Sequence, residues 1–322
     1  MRRINEKMIE TFVKDLKKGI LQPLLEKTIK DDTIQLEFRD KYLSIYYRGG
    51  CVSKLEWKSN DFYEDYFNNN YKNINAIMEE EEEENDLQLQ MQIKSYEDCL
   101  KLVEKIIERK EYMNHFFANR PKREREYQQV VERENNDRED SNYYIVDIEY
   151  ANNSSRFDMI AVQRKDYDDY QKLKPAIIEM KYGSKAIGNK CGIYEHYKDV
   201  KKLSLEECKD IIEDTEIIMK YKYELGIIKT TRYVDRGIKI NNLDEIDLIF
   251  FISGITLKHN KMLLEEIEKI KYDEINDNLD NRNIKLNVKV FCTYMAGNIM
   301  FDKDIISIDE FLKLSEYRKN MI

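Results

Sequence analysis

Between residues 143 and 201 three short runs of β-branched and aromatic residues follow one another, and each carries acidic side chains inside it. Tyr144-Ile145-Val146-Asp147-Ile148-Glu149-Tyr150 and Arg156-Phe157-Asp158-Met159-Ile160-Ala161-Val162 both read as strands. So does Ala176-Ile177-Ile178-Glu179-Met180-Lys181-Tyr182, after Pro175. A carboxylate inside a packed strand is costly unless something compensates its charge. For three such strands in succession, a divalent cation is the most economical compensation. Side chains alternate along a strand, so Glu179 and Lys181 project the same way, as do Asp147 and Glu149. If the second and third strands are neighbours, Asp158 and Glu179 approach closely enough to share a cation. Oxygen-only ligation with several waters suits Mg²⁺ or Mn²⁺. Lys181 then stands two residues beyond a metal ligand, where it can orient or help deprotonate a water and stabilise charge on a phosphoryl group.

Acid-x-Lys alone carries little information in a chain that is 36% charged. Asp15-x-Lys17, Asp199-x-Lys201 and Glu207-x-Lys209 fit it too, and read as solvated helix faces. Context separates Glu179-x-Lys181: it ends an apolar run, follows a strand carrying Asp158, and precedes Tyr182-Gly183 and a loop. A helix starts near Cys191-Gly192-Ile193. This succession resembles the PD-(D/E)xK, or restriction-endonuclease-like, nuclease superfamily over roughly residues 120–255. Phe157 stands where the pattern has proline. The resemblance implies an α/β fold with an αβββαβ core and metal-dependent phosphodiester hydrolysis by Asp158, Glu179 and Lys181.

Further roles follow from the same resemblance. A helix ahead of the sheet contributes an acid to the metal site in such proteins, and Glu126, four residues before Val130, is the candidate here. Glu149 is the other candidate carboxylate. The helix after the third strand supplies a polar contact to substrate, for which His196 or Tyr197 fits. Lys185 and Lys190 lie in the Gly183–Gly192 loop, whose glycines form neither GxGxxG nor a Walker A sequence. A basic loop beside a metal site suits a nucleic-acid backbone.

A chain of 322 residues, 42% hydrophobic, is long enough for one large domain or two modest ones and argues against wholesale disorder. A formal net charge of −9 argues against affinity for nucleic acid through overall basicity, though not against a nuclease whose metal and local basic rim meet the phosphates. The five cysteines are scattered without a CxxC pair, which makes a zinc site or disulfide framework a poor reading. Met1–Lys7 has no apolar leader core and no run approaches a membrane span, so the expectation is a cytoplasmic protein without membrane contact.

The first 118 residues read as a separate N-terminal α+β domain, with residues 119–322 as the nuclease-like domain. Residues 4–29 have helical apolar spacing broken at Pro23. A β-meander follows over Ile34–Phe38, Tyr42–Tyr47 and Cys51–Trp57, with Arg48-Gly49-Gly50 as a tight hairpin. A sharper reading makes Tyr46, Tyr47 and Arg48 contacts for nucleic acid. Glu79–Glu84 reads as an exposed acidic linker, and helices are expected near 96–117 and 122–134. Beyond the triad, helices near 192–200, 205–222, 261–271 and 308–318 alternate with strands at 244–253 and 286–294.

The leading expectation is a Mg²⁺-dependent endonuclease acting on DNA, in prokaryotic antiviral defence, as a homodimer or with a partner protein of a defence system. The setting comes from the resemblance and not from the residues. Two alternatives stand beside it: a catalytically inactive nuclease-fold binding or regulatory subunit, and an RNA-directed nuclease.

Overall fold

The computed structural model describes residues 4–59, 62–73, 86–138, 140–151, 156–163, 173–188, 192–228, 240, 245–255, 260–276, 285–293, 300 and 304–319. The Glu79–Glu84 run lies outside them. The fold is mixed α/β with two sheets and, among the described residues, eight α-helices. It divides into two compact units, Met1–Gln129 with Ile217–Lys229, and Val130–Glu216 with Thr230–Ile322. The divisions at 129/130 and 216/217 fall inside helices, the first of them eleven residues beyond the 118/119 junction, and a stretch from late in the chain joins the first unit.

In the first unit, α1 (Glu6–Lys18) buries Ile9, Phe12, Val13 and Leu16, an i, i+3, i+4, i+7 stripe. It ends at Gly19, and α2 (Gln22–Lys30) begins with Pro23 in its first turn. Proline therefore opens the second helix: its missing N–H costs nothing where the amides have no intrahelical partner. The antiparallel sheet runs in order β1 (Ile34–Phe38), β2 (Tyr42–Tyr47), β3 (Gly50–Ser59), β4 (Phe62–Asn68), β5 (Leu87–Ile93). The last two strands extend the three-stranded meander expected from the sequence. Arg48 and Gly49 link β2 to β3 with φ of 49° and 79°, the doubly positive geometry of a two-residue hairpin turn. Helix α3 (Tyr96–Asn119) starts where the Ser95 hydroxyl accepts from Asp98 N at 3.2 Å, and it buries Cys99, Leu102, Ile106, Met113, Phe116 and Phe117.

The second unit holds a six-stranded sheet in order β11-β10-β9-β8-β7-β6. Strands β6 (Tyr143–Ala151), β7 (Arg156–Gln163) and β8 (Lys174–Tyr182) form an antiparallel meander. Strand β9 (Glu245–Ser253) lies parallel to β8, and β10 (Lys285–Thr293) parallel to β9, with the short β11 (Ile306–Ser307) antiparallel at the edge. The near-continuous apolar run of β9 matches a strand covered on both faces, returned beside β8 by a crossover. That crossover contains α5 (Ile193–Lys201) and α6 (Leu205–Glu224). Helix α7 (Asn260–Asn276) joins β9 to β10, and α8 (Ile308–Lys319) follows β11. Helix α4 (Arg123–Asn136) precedes the sheet, and its Asn136 covers the free edge of β6, donating to Ile145 O at 2.7 Å and accepting from Ile145 N at 2.8 Å. One face of the sheet packs Ile160, Ile177, Leu248, Phe250 and Ile252 against Ile193 and Val200 of α5 and Leu263, Ile267 and Ile270 of α7.

Candidate active site

The candidate site lies where β7 and β8 part. Their pairing stops at Met159 opposite Ile178, although β7 begins three residues earlier, at Arg156, and β8 continues to Tyr182. One step past the last pair, Asp158 stands opposite Glu179. Here the Asp158 carboxylate substitutes for the missing strand partner: its Oδ2 accepts from Met180 N at 2.8 Å. Ile177, Glu179 and Lys181 align with Leu248, Phe250 and Ile252 of β9, so the two charged residues project onto the face packed by α5 and α7. Met180 and Ile178 fill the opposite face. Glu179 and Lys181 therefore share one side of the sheet, and Asp158 caps the Met180 amide where the two strands part.

Glu179 and Lys181 are deeply buried, with side chains 1% and 5% exposed. Such burial demands compensation, and α5 supplies it. His196 Nδ1 lies 2.9 Å from Glu179 Oε2, and its Nε2 lies 3.1 Å from Lys181 Nζ. The Lys181 ammonium is 3.8 Å from the same Glu179 oxygen. A carboxylate only accepts, so Nδ1–H donates to Glu179, while Nε2 accepts from the ammonium. The imidazole thus joins acid and base in one chain, a position more intimate than the substrate contact expected of it. A histidine four residues into a helix that follows an acid-x-Lys strand end is the signal that could have found this.

The other expected residues fall elsewhere. Glu149, at a positive φ of 53°, is ion-paired with Arg156. Glu126 belongs to the first unit, where it accepts from Arg48 Nε at 2.9 Å. Tyr197 is a core residue, its hydroxyl pushed up to about 12 by burial and by Glu274 and Asp273. Lys185 is exposed on the turn after β8, which Gly183 enters at φ 78°. Lys190 lies outside the described residues. Tyr47 and Arg48 are tied to Asn114, at 2.7 and 3.2 Å.

A second polar cluster, which the sequence did not announce, occupies the other face of the same sheet. Asp247 is fully buried on β9 and is met by Lys174, by Lys289 Nζ at 2.8 Å and by the Tyr143 hydroxyl at 3.0 Å. Its charge is satisfied by protein groups throughout, which marks it as an internal tie between β6, β8, β9 and β10.

Among the described residues, no group of three or more His, Cys, Asp and Glu side chains is arranged to hold a metal ion. The Asp158–Glu179 pair is smaller than that, and its chemistry can be judged directly. Both donors are carboxylates, with the Lys181 ammonium 3.8 Å from Glu179. That suits a hard cation which keeps several waters and takes only one or two carboxylates from protein. The four-carboxylate set is not assembled, since Arg156 and Arg48 hold Glu149 and Glu126. Comparison with family models, curated proteins and solved structures gives no match. No described helix is long and apolar enough to cross a membrane.

Proposed function

We propose that this chain is a metal-dependent nuclease that hydrolyses phosphodiester bonds, most readily in DNA, on a restriction-endonuclease-like core formed by α4, β6, β7, β8, α5 and β9. One observation supports the reading: Glu179 and Lys181 lie on one face where two central strands diverge, the ammonium 3.8 Å from the glutamate, and Asp158 stands opposite Glu179 one step past the last strand pair. Asp158 and Glu179 would hold Mg²⁺ or Mn²⁺, which when bound supplies Lewis-acid polarisation of a phosphate oxygen and a more acidic water. Lys181 stabilises negative charge growing on the phosphoryl group and orients the attacking water. His196 keeps Lys181 and Glu179 aligned, and Lys185 on the adjoining turn meets a neighbouring phosphate.

Incubation with Mg²⁺ or Mn²⁺ and a panel of single-stranded DNA, duplex DNA, supercoiled plasmid and RNA tests this. Cleavage of DNA that is abolished in each of Asp158→Ala, Glu179→Ala and Lys181→Ala is the expected outcome, with circular dichroism unchanged. Full cutting by the triple-alanine protein would refute it. One feature favours a second reading, a nuclease-fold binding subunit without catalysis: arginines already hold Glu149 and Glu126. Absence of both cleavage and calorimetric metal uptake would select that reading.

A further inference from the structure

The five-stranded sheet of the first unit has two unlike faces. Leu43, Leu55, Asp65 and Phe67 point to the packed face and are buried. The register puts Tyr42, Lys54, Glu56, Glu64 and Tyr66 on the other, where all five are half-buried; toward β1 the same face is covered, with Glu37 and Ser44 buried, so its accessible part lies over β2–β4. Rings and lysines alternate across this open face. Lys54 Nζ stands 4.3 Å from the centre of the Tyr42 ring, Lys58 Nζ 5.6 Å from that of Tyr66, and Lys94 Nζ 5.4 Å from that of Phe62. Two acids share this face with the three lysines, and Lys58 reaches both, Glu56 at 3.1 Å and Glu64 at 3.3 Å. In a chain with a formal charge of −9, this face therefore presents three aromatic rings, each beside an ammonium.

We infer that this open sheet face is a binding platform for single-stranded nucleic acid. Aromatic rings on a sheet stack unpaired bases regardless of sequence, and neighbouring lysines take the phosphates. Tyr42 and Tyr66 lie two strand spacings apart and two residues out of register, about 12 Å in all, so each ring can take a different base. In this proposal the lysine beside each ring takes the phosphate of the nucleotide stacked there. A duplex keeps its bases paired and offers the rings nothing to stack on. The platform is separate from the Asp158–Glu179 pair, and its occupancy needs no metal.

Fluorescence anisotropy on the full chain in EDTA, with labelled 15-mers of dT and of rU and a 15-base-pair duplex, tests the inference. Both single strands are expected to bind more tightly than the duplex, and the dT and rU arms distinguish DNA from RNA as the natural ligand. Combined Tyr42→Ala, Phe62→Ala and Tyr66→Ala substitution is expected to weaken binding by about tenfold or more. Combined Lys54→Gln, Lys58→Gln and Lys94→Gln substitution is expected to flatten the dependence of log K on log salt by about 2, at about 0.7 per phosphate contact. The lysine variant leaves the packed face untouched, so it decides the matter if the ring variant fails to fold. No binding by the wild-type chain, tighter binding of the duplex, or undiminished binding and salt slope in the lysine variant would overturn the inference. Because EDTA removes the proposed metal, failure here is distinguishable from failure of the cleavage reading.

Discussion

Replacing Arg109 by methionine should unfold the first unit at much lower denaturant, and the structure sets the size of the effect. Arg109 reaches Asp65 through both terminal nitrogens, at 3.0 and 2.5 Å, and donates to Val52 O at 3.1 Å. Its guanidinium also lies 4.8 Å from the centre of the Phe67 ring. The arginine side chain is 4% exposed and that of Asp65 is fully buried. Methionine fills most of the volume but leaves the carboxylate with the Ser53 hydroxyl, which donates at 2.6 Å, in place of a cation. Breaking a buried pair on one side costs about 3–5 kcal/mol, because the other charge stays behind. With a urea slope of about 2 kcal/mol/M, the midpoint should fall by about 2 M. Trp57 on β3 is the only tryptophan in the chain, so its fluorescence reports this unit selectively. Adding Asp65→Leu to Arg109→Met should recover most of the loss, since two well-packed apolar side chains replace a pair whose desolvation offset much of its attraction. A midpoint change below about 0.5 M in the single variant, at unchanged slope, would refute the reasoning.

Three further outcomes are expected. His196→Ala should lower metal-dependent cleavage by about 10–100-fold, the range for losing a group that orients a ligand, with His196→Gln recovering part of it; equal rates in all three proteins would remove the imidazole from the site. Burial pushes the Asp31 carboxyl up, but Lys110 and Lys27, at 2.7 and 2.8 Å, and Thr33 outweigh it and hold the group well below its ordinary value. A depressed folded value contributes stability at neutral pH that disappears as pH falls below about 4, so wild type should exceed Asp31→Asn in urea midpoint at pH 7 and lose that advantage in acid; a gap independent of pH would contradict this. Asn136→Ala should strip the β6 edge of its two side-chain bonds at Ile145, destabilising it by about 1–3 kcal/mol, and the Ile145 amide should then exchange faster in deuterium; unchanged exchange would count against the edge-covering role.

Much of the second unit was legible because its signals are local. Apolar runs of strand length, an acid placed inside each of them, and a helix beginning at Gly192 all lie within a few residues of what they specify. What stayed hidden was fixed by charge pairs distant in sequence. Strand β4 reads Phe62-Tyr63-Glu64-Asp65-Tyr66-Phe67-Asn68, and Asp65 interrupts its inward apolar alternation. Its compensation, Arg109, lies 44 residues away on α3. The assignment of residues 217–229 to the first unit was hidden for the same reason. Lys222, 2% exposed, binds Glu37 on β1 at 2.6 Å across 185 residues of chain. An ionic side chain with no partner nearby in sequence reads as surface, whereas in this fold it marks a long-range tie.

That distinction also separates the candidate site from the other buried charges. Arg109–Asp65, Lys222–Glu37 and the Lys174–Asp247–Lys289 cluster each set at least one cation against each buried carboxylate. At the β7–β8 divergence the arrangement differs: Glu179 meets the Lys181 ammonium and the His196 imidazole that bridges the two, and Asp158 caps the Met180 amide. None of those three clusters joins a buried acid to an ammonium through an imidazole at a strand end beside a turn. That difference is the physical reason for proposing the chemistry at Glu179 and its neighbours instead of at Asp247, whose partners are two lysines and a tyrosine hydroxyl.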